Sequence, residues 1–285
     1  MSHSSNLGEP RSVDTPAGTI AYRERGNGDP IVFLHGVLVN GDLWRDVVPA
    51  LADRYRCITP DWPFGAHVDP LGDGFDPSLP GLAELVDQTL AALDLDRVTL
   101  VANDTGGAIA QQLVGSSPGR IARLVLTPCD SFDRFFPPQF RPLQEVARST
   151  ALIWVAANAL RVRALERLPI GFGQLTSEPL DRELVESFTE PMRSDSAVRR
   201  DAARILRAVD RRYTEAAAER LRGYDRPVLL AWGDDDAIFP LEHAHRLAGL
   251  FPDARLTIIP GARAFVPLDA PQELADAIGA FLDDL

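Results

Sequence analysis

The residues best placed by type and spacing to do chemistry lie in one stretch, Leu100-Val101-Ala102-Asn103-Asp104-Thr105-Gly106-Gly107-Ala108-Ile109-Ala110. An apolar run from Val98 to Val101 stops at a polar pair and meets two glycines, and Ala108 to Val114 then reads as a helix. A strand, a sharp turn and a helix, with small residues around one nucleophilic side chain, form the pattern of a nucleophile elbow. The glycines allow a strained turn and a helix that starts close to its strand. Ser is the familiar residue at the tip, but here it is Asp104. A carboxylate there does not acylate itself in the usual way. It displaces a leaving group from an sp3 carbon, or opens an epoxide, and becomes an alkyl ester. A literal G-x-S-x-G also occurs, Gly115-Ser116-Ser117-Pro118-Gly119, but it follows a helix. Pro118 would have to supply an oxyanion N–H that proline lacks, so this second motif is rejected.

The elements that must position Asp104 follow from the hydrophobic pattern. Residues 1–10 read as a disordered tail. Arg11 to Arg25 alternates, and Gly26-Asn27-Gly28-Asp29 is a turn signal, which together suggest an opening hairpin. Pro30 to Leu34 is a short continuous apolar run, as expected of a buried parallel strand, and ends in His35-Gly36-Val37. A helix near 43–52, a strand at 56–59, an Asp/Gly/Pro-rich loop through 60–80 and a helix at 81–93 lead to the elbow strand. Beyond the elbow helix, Ile121 to Leu126 is a further strand. Residues 133–222 then lack strand-like runs and are rich in Arg, Ala, Leu and Glu, which predicts an inserted helical cap. Strands return at 227–233 and 255–259, and a helix at 271–282 closes the chain. Alternating strands and helices give an α/β fold, a mostly parallel central sheet flanked by helices. The expected core is 11–132 with 223–285.

Composition narrows the function. The net charge of −12 argues against nucleic acid and against an anionic membrane as partner. All 29 basic residues are arginine, which removes Schiff-base chemistry, P-loop phosphate binding and lysine-held pyridoxal phosphate. Met1 to Thr19 contains no apolar signal region, and no run is long enough to span a bilayer. The two cysteines, Cys57 and Cys129, are too few for a disulfide framework, so a reduced cytoplasmic setting is expected. The lack of lysine with abundant Ala, Arg and Asp suggests a bacterial source.

Four landmarks in order, His35-Gly36, the elbow at Asp104, Trp232-Gly233-Asp234-Asp235-Asp236 and Pro260-Gly261-Ala262, resemble the α/β-hydrolase family over nearly the whole chain. The elbow Asp followed by Gly-Gly is similar to the haloalkane dehalogenase and epoxide hydrolase branch. The resemblance implies Asp104 as nucleophile, Asp236 as the acid that orients a histidine, and the backbone N–H groups of Val37 and Thr105 as the oxyanion hole. It also implies a histidine after the last strand, but the sequence there reads Arg263-Ala264-Phe265. Ester formation needs no base. Its hydrolysis does, and without one it loses roughly 10²–10⁴-fold. Either another group supplies the base or the chemistry is not two-step hydrolysis.

Three further histidines are candidates for that role. His67 is in a loop that could border the pocket, while His243 and His245 are on a helix and are more often solvated. His35 fits a structural part in the oxyanion loop. Asp236 fits either a catalytic acid or a loop-capping carboxylate, and Asp130 an alternative acid or a turn residue. Arg263 is placed to pair with a carboxylate such as Asp236. Haloalkane dehalogenases place halide donors where this chain has Thr105 and Val37, and the predicted cap contains only Tyr213 where epoxide hydrolases use two tyrosines. An apolar substrate pocket beneath the cap is expected from His35, Gly36, Trp62, His67, Phe136, Trp154, Tyr213, Ala264 and Phe265. The function expected is a cofactor-independent hydrolase, without a metal, acting through Asp104 on a small or medium apolar substrate, with an impaired or altered second step. The alternatives are a lyase or isomerase using Asp104 as general base, and a ligand-binding protein. The chain is expected to be a monomer or homodimer whose partner is a small molecule.

Overall fold

The computed structural model describes residues 3–165 and 171–285. Eight strands form one sheet: β1 (Glu9–Thr15), β2 (Gly18–Arg25), β3 (Pro30–Leu34), β4 (Arg56–Pro60), β5 (Val98–Asp104), β6 (Ile121–Cys129), β7 (Val228–Gly233) and β8 (Ala254–Ile259). Their order is β1-β2-β4-β3-β5-β6-β7-β8. β2 runs antiparallel to both of its neighbours, and every other pair is parallel. The central strands β3, β5 and β7 are buried almost throughout, which is why they read as continuous apolar runs. β8 lies at the sheet edge and is partly exposed.

The chain steps from β3 one way to β4, then back across β3 to β5. With right-handed crossovers this reversal sends helices to opposite faces and opens a crevice at the carboxyl ends of β3 and β5. The helices are α1 (Val48–Leu51), α2 (Leu79–Ala92), α3 (Thr105–Ser116), α4 (Pro142–Val146), α5 (Thr150–Ala159), α6 (Arg182–Ser194), α7 (Ser196–Ala208), α8 (Arg211–Arg220), α9 (Leu241–Ala248), α10 (Val266–Asp269) and α11 (Pro271–Asp283). Two packed groups result, α2 with α3 and α8, and α1 with α11. The loop after β3 and the elbow after β5 both open into the crevice.

Three expectations change. The opening hairpin turns at Pro16-Ala17, where Thr15 Oγ1 donates to Gly18 O at 2.7 Å, and Gly26–Asp29 instead leads into β3. Residues 3–10 are ordered rather than a loose tail. Leu7 is buried in a short 3₁₀ turn, β1 begins at Glu9, and the His3 ring sits between Asp42 (3.2 Å) and Asp61 (2.9 Å). A polar composition hides that anchoring, because one leucine and one charge partner suffice for it. The cap is also shorter than 133–222. Its last helix, α8, packs on the elbow helix α3, with Arg220 Nη2 donating to Gln112 Oε1 at 2.7 Å, so α8 belongs to the core layer.

Candidate active site

Asp104 is the last residue of β5, with φ 55° and ψ −131°, and α3 starts at Thr105. A non-glycine residue in this region carries strain of order 1–3 kcal/mol, which surrounding structure must hold in place. Two close approaches do so. A Cβ on Gly106 would strike the carbonyls of Leu34 and His35, and one on Gly36 would strike the Asp104 carboxylate. The helix start is therefore pressed onto β3, and the loop after β3 onto the carboxylate.

The Asp104 side chain is half-buried and faces a cavity. Burial pushes its carboxyl up to about 7. The Thr105 backbone N–H, which donates to it, works against that rise, and the charge of Asp236 adds to it. The Thr105 N–H, expected as an oxyanion donor, is thus near the carboxylate. Val37, the other, lines the same cavity.

Asp130 adjoins the elbow, and Asp236 acts on it through its charge. Asp130 follows β6, is fully buried, and its Oδ2 accepts from Thr105 Oγ1 at 3.0 Å while its backbone N–H donates to Asp104 O at 3.3 Å. Burial, and after it the charge of Asp104, holds its carboxyl well above the usual range. The turn-residue reading of Asp130 is corrected accordingly. β6 runs to Cys129, three residues past the apolar run that marks it in the sequence, and this extension carries Asp130 to the elbow. Asp236 lies after β7. Its Oδ1 accepts from the N–H groups of Ile238 (2.7 Å) and Phe239 (3.1 Å), and its buried Oδ2 has no partner. Burial raises it to about 6 against those two amides. Arg263 does not reach Asp236. Its Nε donates to Asp235 at 3.0 Å and its Nη1 to Thr176 O at 3.1 Å.

Across from the elbow, Ala264 is fully buried and its carbonyl accepts from Asn103 Nδ2 at 2.8 Å. The neighbouring Phe265 donates its N–H to Leu175 O at 2.8 Å and lines the cavity.

The histidines have other tasks. His35 Nδ1–H donates to Gly36 O (2.8 Å), its Nε2 accepts from Trp62 N–H (2.9 Å), and burial lowers it to about 4. His67 is buried, accepting from Gly65 N–H at 3.3 Å and donating to Asp201 on α7 at 3.3 Å, so it ties a core loop to the cap. His243 is buried rather than solvated, with Nδ1 3.3 Å from Ser131 Oγ and its ring edge-on to Phe132. His245 is exposed.

The cavity gives about 60 Å³ of room to the centres of water-sized molecules, within about 780 Å³ of unoccupied space that includes its opening. Its described walls are Asp104 and fifteen apolar residues. The core supplies Val37 and Phe265. The cap and its approach supply Phe136, Ile153, Met192 and Leu206 among others. Of the expected pocket residues, Phe136 and Phe265 are on the wall, and Gly36 lies against Asp104. Trp62 is buried in the core with Nε1–H donating to Phe33 O at 2.9 Å, and Trp154 is 47% exposed on the outside of α5. Tyr213 accepts from Arg212 at the surface. His35, His67 and Ala264 are buried but are not on the described wall. Among the described residues no group of His, Cys, Asp or Glu is arranged to hold a metal ion, and no helix is long and apolar enough to cross a membrane.

Comparison with known proteins follows from this geometry. The α/β hydrolase fold family matches residues 29–271. The chain belongs to that family. Haloalkane dehalogenase 2 of Mycobacterium tuberculosis is 30% identical over 278 residues, covering 95% of this chain and 93% of the relative. The cis-3-alkyl-4-alkyloxetan-2-one decarboxylase of Shewanella oneidensis is 26% identical, covering 92% and 85%. Among solved structures, a putative lipase from Acinetobacter baumannii superposes with a TM-score of 0.80 at 21% identity, covering 98% of this chain and 92% of that one. A haloalkane dehalogenase from Bradyrhizobium elkani gives 0.78 at 20% identity, covering 97% and 99%. The structural likenesses establish the α/β-hydrolase fold, and with the family match they make this a hydrolase-fold enzyme related to haloalkane dehalogenases.

Proposed function

We propose that this α/β-hydrolase alkylates itself on Asp104 with a small or medium apolar substrate and releases the product by an altered second step that uses no histidine. One observation carries the reading. Asp104 stands at the tip of a strained elbow as the only polar residue on the described wall of an apolar cavity. In the first step an oxygen of the ionised carboxylate bonds to the sp3 carbon, and the leaving group departs with the electron pair of the broken bond. The Thr105 N–H already touches the carboxylate and would later stabilise charge on the ester's carbonyl oxygen.

The walls also speak to the substrate. Thr105 Oγ1–H is committed to Asp130, and Val37 offers no side-chain donor, so a halide would find little to cradle it. Ring strain in an epoxide or a four-membered lactone supplies part of the driving force that such donors would otherwise provide. The Shewanella relative, named for a substrate with an oxetanone ring, agrees with that preference.

The test is intact-mass analysis after exposure to an alkyl bromide, an epoxide and a β-lactone panel. A covalent increment on Asp104, absent from Asp104→Asn, is the expected result. No increment with any of the reactive probes would defeat the alkylation reading. A second reading, a lyase or isomerase with Asp104 as proton carrier, draws on a carboxyl held at about 7, close to the value that suits proton transfer at neutral pH. Water-derived ¹⁸O separates the two, because only hydrolysis places it first in the Asp104 carboxyl and, over further turnovers, in the product.

A further inference from the structure

The structure accounts for all five histidines of the chain, and none of them serves the elbow. His35 and His67 use both ring nitrogens on neighbouring groups, His243 faces Ser131, His245 is exposed, and His3 is held between Asp42 and Asp61. A base for the second step must therefore be sought among the carboxyls.

They differ in what their oxygens do. Asp130 Oδ1 and Asp236 Oδ2 are both buried without a partner, but the other oxygen of Asp130 is spent on Thr105 Oγ1, and full enclosure beside Asp104 holds its proton on. Asp236 is built otherwise. Two backbone amides fix Oδ1, so the side chain does not swing, and Oδ2 is left buried with no partner. A buried acceptor without a donor is costly to keep, and such atoms often mark a working site. The charge of Asp236 acts on Asp104, which sets the two carboxyls within electrostatic reach of each other. The charged groups facing Asp236 are Arg263, Asp269 and Asp104, and the guanidinium of Arg263 is turned to Asp235 instead. At position 264 a methyl group stands where the family resemblance places an imidazole, so no ring intervenes.

The geometry points to Asp236 as the general base of the second step, taking a proton straight from the water that attacks the Asp104 ester. This rests on the alkyl-ester reading of Asp104. The step balances without a further reactant. The water oxygen bonds to Cγ of Asp104 as Asp236 Oδ2 accepts its proton. The tetrahedral centre then collapses, the bond from Cγ to the alkyl oxygen breaks, and that oxygen leaves as an alcohol with the proton returned by Asp236. Asp236 suits this order of events, since two amides hold its Oδ1 in place and leave Oδ2 to take the proton. Once Asp104 is esterified it bears no charge, and the pH dependence of ester decay becomes that of Asp236.

The experiment is single-turnover mass analysis of the full chain with a short alkyl bromide and with styrene oxide, following the ester's formation and decay from pH 5 to pH 8. In the wild-type protein, decay should quicken as the pH rises through about 6. In Asp236→Asn the ester should still form but decay about 10²–10⁴-fold more slowly, with the pH-dependent limb gone. Decay in Asp236→Asn as fast as in the wild type would overturn the proposal. So would a wild-type decay rate flat across that range, a readout that does not depend on any variant folding. An ester that never forms even in the wild-type protein would bring down the nucleophile reading and this one with it. That outcome is distinct from unchanged decay, which would leave Asp104 standing.

Discussion

On one side of the cavity the chain keeps every feature an elbow needs. Asp104 is held at φ 55°, Gly106 lets α3 start against β3, and Gly36 leaves room for the carboxylate. On the other side, the loop after β8 is anchored by the Ala264 carbonyl on Asn103 and by the Phe265 amide on Leu175, and it carries a methyl group where the family resemblance implies a histidine. The first region is constrained by backbone packing, so changing its residues disturbs the sheet itself. The second is held by main-chain hydrogen bonds that do not depend on the side chain at 264. The side chain at 264 can therefore differ with the loop intact, and the proposed base, Asp236, is the group this contrast puts to the test.

The sharpest way to break this contrast is at its intact side. Asp104→Asn should lower turnover of any accepted substrate by roughly 10³-fold or more, and substantial residual turnover in a steady-state assay would remove Asp104 from the mechanism. The converse experiment repairs the other side. Ala264→His should raise hydrolysis by about 10²-fold, read as faster ester decay, if the surrounding machinery is in place. Because Ala264 is fully buried, the same change should also cost about 1–3 kcal/mol of stability in a urea titration. A third test sets backbone against backbone. Gly106→Ala should destabilise by at least that amount, since its neighbours are carbonyls of β3 and the following loop that cannot move aside. Gly261→Ala meets open space and should pay only for its φ of 73°, about 1–2 kcal/mol.

The smallest effect is in pH. Asp104 and Asp236 are raised from 3.8 to about 7 and about 6, so each holds a proton in the folded state that it has lost in the unfolded one. Their stabilising contribution is full below pH 3.8 and fades as the pH rises through about 6 and then about 7. Melting temperature should accordingly fall between pH 5 and pH 8, and fall less in Asp104→Asn. An identical slope in that variant would show that Asp104 does not keep its proton into the neutral range.

The sequence revealed the parts of the site that depend on local order. A strand ending in Asn-Asp-Thr-Gly-Gly can be recognised in isolation, because the turn dictates small residues at fixed positions. The α/β architecture was legible too, since buried parallel strands and amphipathic helices leave different periods. The cavity wall was less so. Among the expected aromatic residues Phe136 and Phe265 lie on the described wall, whereas Trp62 is buried in the core and Trp154 faces outward. The spacing of Ile153, Ala156, Ala157 and Leu160 was the better signal, marking the inner face of α5, while Trp154 points outward. Asp130 is legible in the sequence only as an alternative acid or a turn residue, because its place beside the elbow depends on pairing between β5 and β6, with Asp104 opposite Cys129 across a bulge. Such register is a long-range fact that no local pattern carries.

The buried ring of His3 has a practical corollary. Burial disfavours its charged form, but Asp42 and Asp61 outweigh that and lift it to about 9. Asp42 in turn accepts from Ser187 on α6, the helix that brings Met192 to the cavity wall. A purification handle fused just ahead of residue 3 would therefore press on a keystone beneath the lid, whereas the exposed carboxyl end at Leu285 can carry one freely.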